Sequence, residues 1–343
     1  MKALVIHAAR DLRIEDRDVQ APGAGQVAIK LATGGICGSD LHYFNHGGFG
    51  SIRLREPMIL GHEVAGYVTQ LGKDVVGLNA GQLVGVSPSR PCYACKYCRE
   101  AMYNQCLNMR FYGSAMPYPH IQGAFREYLV ADASQCVAAD GLTSGEAAMA
   151  EPLAVTLHAT RRAGEVLGKS VLVTGCGPIG ILAILAARRA GADTVVATDL
   201  NEFTLNMAKQ AVADITLNMA STPDALDTYK ADKGCFDILY ECSGAQAALA
   251  NAIAAMRPGA TILQLGLGGD MTLPMMQITA KELILKGSFR FHSEYATAIA
   301  LMKRQLIDVK PLITETVALQ NAVKGFELAN DRSAAMKVQI AFA

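Results

Sequence analysis

The sequence predicts an α/β fold in two parts: a partly closed, barrel-like set of antiparallel strands, then a doubly wound parallel sheet. Three observations predict it. Residues 1–147 consist largely of short apolar runs punctuated by Gly and Pro, as in a β-barrel. From Lys169 onward, short apolar strands alternate with Ala- and Leu-rich helical stretches, the pattern of a parallel sheet covered on both faces. Between the first of these strands and its helix stands Gly175-Cys176-Gly177-Pro178-Ile179-Gly180. A chain of 343 residues is long enough for two domains. The expected boundaries are 1–147 for the barrel, 148–288 for the parallel sheet, and 289–343 for a C-terminal segment that returns to the barrel.

In chain order, 2–7 and 27–32 read as strands joined by a turn at Pro22, Gly23 and Gly25, and Gly34-Gly35 reads as the end of the second. The segment 36–46 packs Cys, Ser, Asp and two His into eleven residues and should line a cleft. Strands follow at 64–68, 83–86 and 123–130, and a largely helical stretch at 144–160. The second part reads as strands at 171–173, 194–198, 236–239, 261–265 and 283–285, with helices at 179–189, 202–211 and 246–256. Helical stretches at 295–303 and 319–328 precede a last strand at 337–342.

Composition narrows the function. Thirty-one basic residues balance 31 acidic ones, which gives no electrostatic footprint for nucleic acid and no polybasic patch for a membrane surface. A small-molecule partner is the default. The opening residues carry no secretory pattern, and the most apolar run, 178–187, is half the length a bilayer requires. A soluble cytoplasmic protein is expected. Nine cysteines in a chain of this size and kind read as metal ligands rather than disulfides, because four of them fall within fifteen positions.

Those four, Cys92, Cys95, Cys98 and Cys106, have the short spacings of a tetrahedral zinc site, with an iron–sulfur cluster as the competing metal. The lobe 88–108 around them has almost no hydrophobic pattern, so a closed site would order it. A second donor set is Cys37, His62, Glu63 and Glu151, since thiolate, imidazole and carboxylate are all zinc ligands and a catalytic zinc takes three from the protein. The plain alternatives are a small buried thiol at Cys37 and a structural histidine at His62.

Gly175, Gly177 and Gly180 allow, in turn, a tight turn, close approach of backbone to a pyrophosphate, and close packing of helix on strand. Pro178 and Ile179 open the helix, whose free amides favour phosphate. Asp199, ending the next strand, suits a ribose 2′-hydroxyl and repels a 2′-phosphate, which favours NAD over NADP. Its alternative is a helix cap before Asn201.

Together these motifs resemble the zinc-containing medium-chain dehydrogenases, in the branch of the polyol and threonine dehydrogenases. The likeness covers the whole chain and is carried by 34–43 around Cys37, 109–116, 150–155 around Glu151, and 286–291. It implies a GroES-like barrel with a Rossmann domain and two zinc ions per subunit, one catalytic and one structural. It also implies a secondary alcohol of a sugar acid or polyol as substrate, and a homodimer or homotetramer joined near residues 283–286. By the same resemblance Ser39 takes the substrate proton, His42 passes it toward solvent, and Asp40 orients His62. Glu63 is a direct ligand or an outer carboxylate, and Glu151 stands in or near the metal shell through water.

The run 109–116 is the most discriminating and resembles members that oxidise sugar acids; sorbitol, xylitol and then L-threonine are the alternatives. A carboxylate on the substrate would need a basic partner, for which Arg110, His120 and Arg290 are candidates. Arg290 also resembles a polyol-contacting arginine. Tyr43 and Phe111 are candidate apolar walls.

Overall fold

The computed structural model describes residues 1–342, which divide into two compact units: 1–151 with 295–331 and 337–342, and 152–294 with 332–336.

The first unit is built on a sheet of seven strands. Along it lie Cys136–Ala138, Leu83–Val86, Glu63–Leu71, Gln26–Gly35, Lys337–Ala341 and Ile313–Ala318, and Tyr128–Asp132 also pairs with Gln26–Gly35. A smaller sheet joins Asp11–Asp16, Lys2–Ala8 and Met58–Ile59. Most pairings are antiparallel, but Ile313–Ala318 and Lys337–Ala341 run parallel to each other.

Gly34 and Gly35 do not end their strand, as their sequence suggests; they continue it, opposite Val64 and Glu63 on one side and Ile340 and Gln339 on the other. Their lack of a side chain serves close approach instead. A Cβ on Gly34 would lie 2.7 Å from the Phe125 ring, and one on Gly35 only 2.2 Å from the Glu63 carboxylate. The 123–130 strand begins later than expected, at Tyr128. Before it, the amides of Gly123, Ala124 and Phe125 bond to the carbonyls of Ile59, Gly61 and Leu60, which clamps the turn leading into His62. Gly61 sits in that turn at φ +91°, where a Cβ would meet Phe125 at 2.1 Å, so glycine alone fits.

The second unit holds six parallel strands in the order Ile215–Asn218, Thr194–Asp199, Ser170–Thr174, Phe236–Glu241, Met256–Gln264, Ile284–Gly287. In chain order that is 3-2-1-4-5-6, the doubly wound arrangement whose strand order reverses beside Ser170–Thr174. Leu172, Val196, Leu239 and Ile262 from four neighbouring strands are fully buried, as expected for a sheet covered on both faces. The strand Ile215–Asn218 had no clear signal, because half-buried polar residues dilute its short apolar pattern. No helix among the described residues is long and apolar enough to cross a membrane.

Candidate active site and cofactor loop

The segment 36–46, with too many polar groups for an ordinary core helix, is nevertheless a helix from Gly38 to His46. Its start explains this tolerance. Cys37 is the N-cap, and Asp40, buried at 0% exposure, accepts the Cys37 amide at 3.0 Å and the Gly61 amide at 3.1 Å. One carboxylate thus fastens the segment bearing Cys37 to the segment bearing His62. Asp40 also lies 3.9 Å from His62 Nδ1, which is buried without a hydrogen-bond partner. At that distance its firm bonds go to backbone, and it faces the imidazole without yet bonding to it.

Cys37, His62 and Glu63 each offer a ligand atom, all within 4.8 Å of one another. Glu151 does not belong to this group but is buried beside it, close enough to feel the charges of His62, Glu63 and Cys37. Burial, reinforced by the Glu63 carboxylate, pushes the Cys37 thiol up to about 12. Burial likewise pushes Glu151 up to about 8, against the His62 contribution. These groups resist ionisation together, and a divalent cation among them would hold them ionised. The donor set of thiolate, imidazole and carboxylate therefore fits zinc.

Lys337 is the residue that sequence reasoning missed. It opens the last strand, is 3% exposed, and donates from Nζ to both Glu63 oxygens at 2.9 and 2.8 Å and to the Ile36 carbonyl at 3.2 Å. Although burial alone would lower its pKa, the Glu63 carboxylate it is bonded to raises it, so the ammonium is kept. Its only signal in the sequence is a single charge at the start of a largely apolar strand.

Ser39 and His42, three residues apart, share one face of the Gly38–His46 helix. The His42 ring lies 5.5 Å from Phe49. Tyr43 is buried, 5.5 Å from the same Phe49, and its hydroxyl oxygen accepts the Ala115 amide at 3.0 Å. Phe111 lies 5.5 Å from the His62 ring, as a wall of the metal group.

The three candidate carboxylate partners stand in different surroundings. Arg110 is exposed on a two-residue strand opposite Arg90. His120 is buried, with Nε2 accepting the Arg55 amide at 2.9 Å and Nδ1 2.9 Å from the Pro117 carbonyl. An amide donor on one nitrogen and a carbonyl on the other fix the neutral Nδ1–H tautomer, and neither nitrogen is left for substrate. Arg290 belongs to the other unit, where its guanidinium stacks 4.8 Å from the Phe289 ring.

The four cysteines of the lobe bring their sulfurs within 4.8 Å of one another. Backbone amides point at them: Cys92 and Asn108 donate to Cys106 Sγ at 3.2 and 3.3 Å, and Cys95 to Cys92 Sγ at 3.4 Å. Amide donors, first of them Ala94, bring the Cys92 thiol down to about 6. Four sulfurs with amide support fit a closed metal site that leaves no position for substrate.

In the second unit, Gly175 turns at φ +84°, and a Cβ there would lie 2.8 Å from Ser243. A Cβ on Gly180 would meet the Gly175 carbonyl at 1.8 Å, and one on Gly177 would stand 2.6 Å from a guanidinium nitrogen of Arg332. The loop is thus closed to a side chain at Gly175 and Gly180, where backbone stands in the way, while at Gly177 the obstacle is the mobile tip of Arg332. Gly177 caps the Pro178–Arg189 helix without a side-chain acceptor, and Ile179 follows Pro178 in its first turn, so the amides there suit a pyrophosphate. Asp199 accepts the Cys176 amide at 2.6 Å and those of Leu200 and Asn201 at 2.7 and 3.0 Å. The helix cap is Asn201, which accepts the Phe203 amide at 2.8 Å. Asp199 ties the glycine loop to the second strand, and its carboxylate has acceptor capacity left for a ribose hydroxyl. Glu241, also unforeseen, is fully buried and binds the Ser243 and Gly244 amides and the Gln264 amide group, shaping the turn packed on Gly175. These residues fit a dinucleotide.

The Alcohol dehydrogenase GroES-like domain family matches residues 23–141, and the Zinc-binding dehydrogenase family residues 178–304. Across the chain, L-idonate 5-dehydrogenase (NAD(P)(+)) of Escherichia coli is 40% identical over 316 residues, 92% of this chain and 91% of that protein. Sorbitol dehydrogenase of Gallus gallus is 36% identical over 330 residues, 95% of this chain and 92% of that protein. The crystal structure of L-idonate 5-dehydrogenase from Escherichia coli superposes with a TM-score of 0.95 at 37% identity, covering 99% of this chain and 97% of that one. The chain belongs to the zinc-containing medium-chain dehydrogenases, in the polyol dehydrogenase branch. It is an oxidoreductase of the alcohol and polyol type, with zinc and NAD(P) as its cofactors.

Proposed function

We propose that the protein oxidises a secondary alcohol of a sugar acid, L-idonate to 5-keto-D-gluconate, with NAD favoured over NADP. The observation that carries the reaction type is the Cys37, His62 and Glu63 group, beside Glu151, in a chain that also holds the Gly175–Gly180 cradle. The substrate reading rests on the likeness to L-idonate 5-dehydrogenase. Zinc held at the first site would supply the Lewis acidity that lowers the pKa of a substrate alcohol, and a nicotinamide cofactor would supply the hydride acceptor. Cys37, His62 and Glu63 hold the metal, with Glu151 beside them; Asp40 fixes the backbone that presents the first two. Ser39 takes the alcohol proton, and His42, one turn along the same helix face, passes it toward solvent. Asp199 receives the ribose, and the cysteines 92, 95, 98 and 106 hold a second, structural zinc.

The test is the initial rate of NAD⁺ and of NADP⁺ reduction with L-idonate, sorbitol, xylitol and L-threonine at matched concentrations. We expect the highest kcat/KM with L-idonate and NAD⁺. A preference for sorbitol or xylitol would make the protein a polyol dehydrogenase.

We also infer a homodimer or homotetramer in the cytoplasm. Ile284–Gly287 is an edge strand of the parallel sheet with Ile284 and Leu285 47% and 44% exposed, an apolar edge of the kind natural sheets cover. Leu285→Arg should halve the mass in light-scattering chromatography, a dimer falling to monomer or a tetramer to dimer. An unchanged mass would place the interface elsewhere.

A further inference from the structure

The first unit contains a cavity of about 390 Å³ lined by Ser51, Ile52, Arg53, Arg55, Ala115 and Met116. It is fastened to the helix that carries Ser39 and His42. Gly48–Phe49 and Ile52–Arg53 form a short hairpin, with Gly48 opposite Arg53 and Phe49 opposite Ile52. Phe49 packs on His42 and Tyr43, and Ala115 is bonded to the Tyr43 hydroxyl. Ser39 and Tyr43 are separated by about 6 Å of helix rise, comparable to the stretch of a six-carbon chain between its first and fifth carbons.

Two positive charges line this cavity, Arg53 and Arg55. Arg53 gives one guanidinium nitrogen to the Gly50 and Ile52 carbonyls, at 2.7 and 2.8 Å, which aims the group and leaves its other donors unused. Arg55 lies over the Tyr118 ring at 4.3 Å, a contact that orients a guanidinium without consuming its N–H groups. Neither forms an ion pair with a carboxylate among the described residues. The nearest acidic residue in sequence, Glu56, accepts the His120 amide at 2.7 Å and is in no ion pair with either arginine.

We propose that Arg53 and Arg55 form the subsite that binds the anionic end of a polyhydroxy substrate, a carboxylate, and that they set the preference for a sugar acid over a neutral hexitol. Ile52 and Met116 supply apolar wall, and Ser51 a hydroxyl. This rests on the sugar-acid reading above and replaces Arg110, His120 and Arg290 as the source of that specificity. A site built to bind a charged group rejects the analogue that lacks it far more strongly than an apolar wall rejects an extra methylene.

The experiment compares kcat/KM for L-idonate and for the hexitol sorbitol in the wild-type enzyme, in Arg53→Gln/Arg55→Gln and in Arg53→Lys/Arg55→Lys. Calorimetric titration of L-idonate into the enzyme–NADH complex adds a readout independent of turnover. The acid-to-polyol ratio should fall roughly 10- to 100-fold in the glutamine variant and recover in part with lysine, with L-idonate binding weakened alike. In the wild type, the KM for L-idonate should rise with salt while that for sorbitol does not. A ratio that stays within threefold of wild type, or a salt-independent KM for L-idonate, overturns the subsite. A wild type that prefers sorbitol overturns the sugar-acid reading and the subsite with it. A hexitol phosphate turned over better than either, with a rate that collapses in the glutamine variant, keeps the anion subsite but ends the sugar-acid reading.

Discussion

Replacing Lys337 by methionine is expected to cost the zinc-free protein roughly 3–5 kcal/mol, the usual penalty for removing one partner of a buried ion pair. The substitution keeps most of the aliphatic volume and deletes the charge together with the hydrogen bonds to Glu63 and the Ile36 carbonyl. Glu63, 1% exposed, would then face Cys37 and Glu151 with no cation near its oxygens. Zinc supplies positive charge at the same place, so the zinc-loaded variant should lose much less than the zinc-free one. By linkage, the difference must return as tighter zinc binding. Guanidinium unfolding with and without zinc, together with a chelator competition for zinc affinity, checks both halves. Equal losses in the two forms, or a loss below about 1 kcal/mol, would mean that Lys337 is not the counter-ion of Glu63.

Why this residue escaped sequence reasoning is a matter of distance along the chain. Lys337 and Glu63 are 274 positions apart, and they meet because the last strand pairs with Gln26–Gly35, which pairs on its other side with Glu63–Leu71. The motifs that were legible are local. The glycine loop and the four-cysteine lobe carry their chemistry within a few residues, and the alternation of strands and helices announces the parallel sheet without any long-range contact, whereas the helix that starts after Cys37 is masked by its own polar residues. Gly34 and Gly35 misled because a glycine pair reads equally as a strand end and as room for a neighbour, and the neighbours, Phe125 and Glu63, are not visible in sequence. His120 misled differently. A histidine near a discriminating motif looks available, but its two nitrogens are taken by an amide and a carbonyl that only the folded loop supplies. Arg53 and Arg55 were overlooked because surface arginines are ordinary; their meaning comes from sharing one cavity.

Zinc uptake at pH 7 should release protons, and the catalytic group should account for about one to two of them. Cys37, pushed up to about 12, holds its proton throughout this range, and a zinc ligand must be a thiolate. Glu151, pushed up to about 8, holds most of its proton at pH 7 and releases it when a cation arrives. Affinity should therefore climb with pH, more steeply below pH 8 than above it, as the contribution of Glu151 ends there. The same shift sets the sign for stability. An acid whose folded value is raised from 4.5 to about 8 binds more protons folded than unfolded, so the zinc-free protein should weaken as pH rises from about 4.5 to 8. Titration calorimetry in buffers of different ionisation enthalpy measures the protons released, and Glu151→Gln isolates that residue. The variant should release fewer protons at pH 7 and lose the change of slope near pH 8. If it released as many as the wild type, Glu151 would not be coupled to the metal.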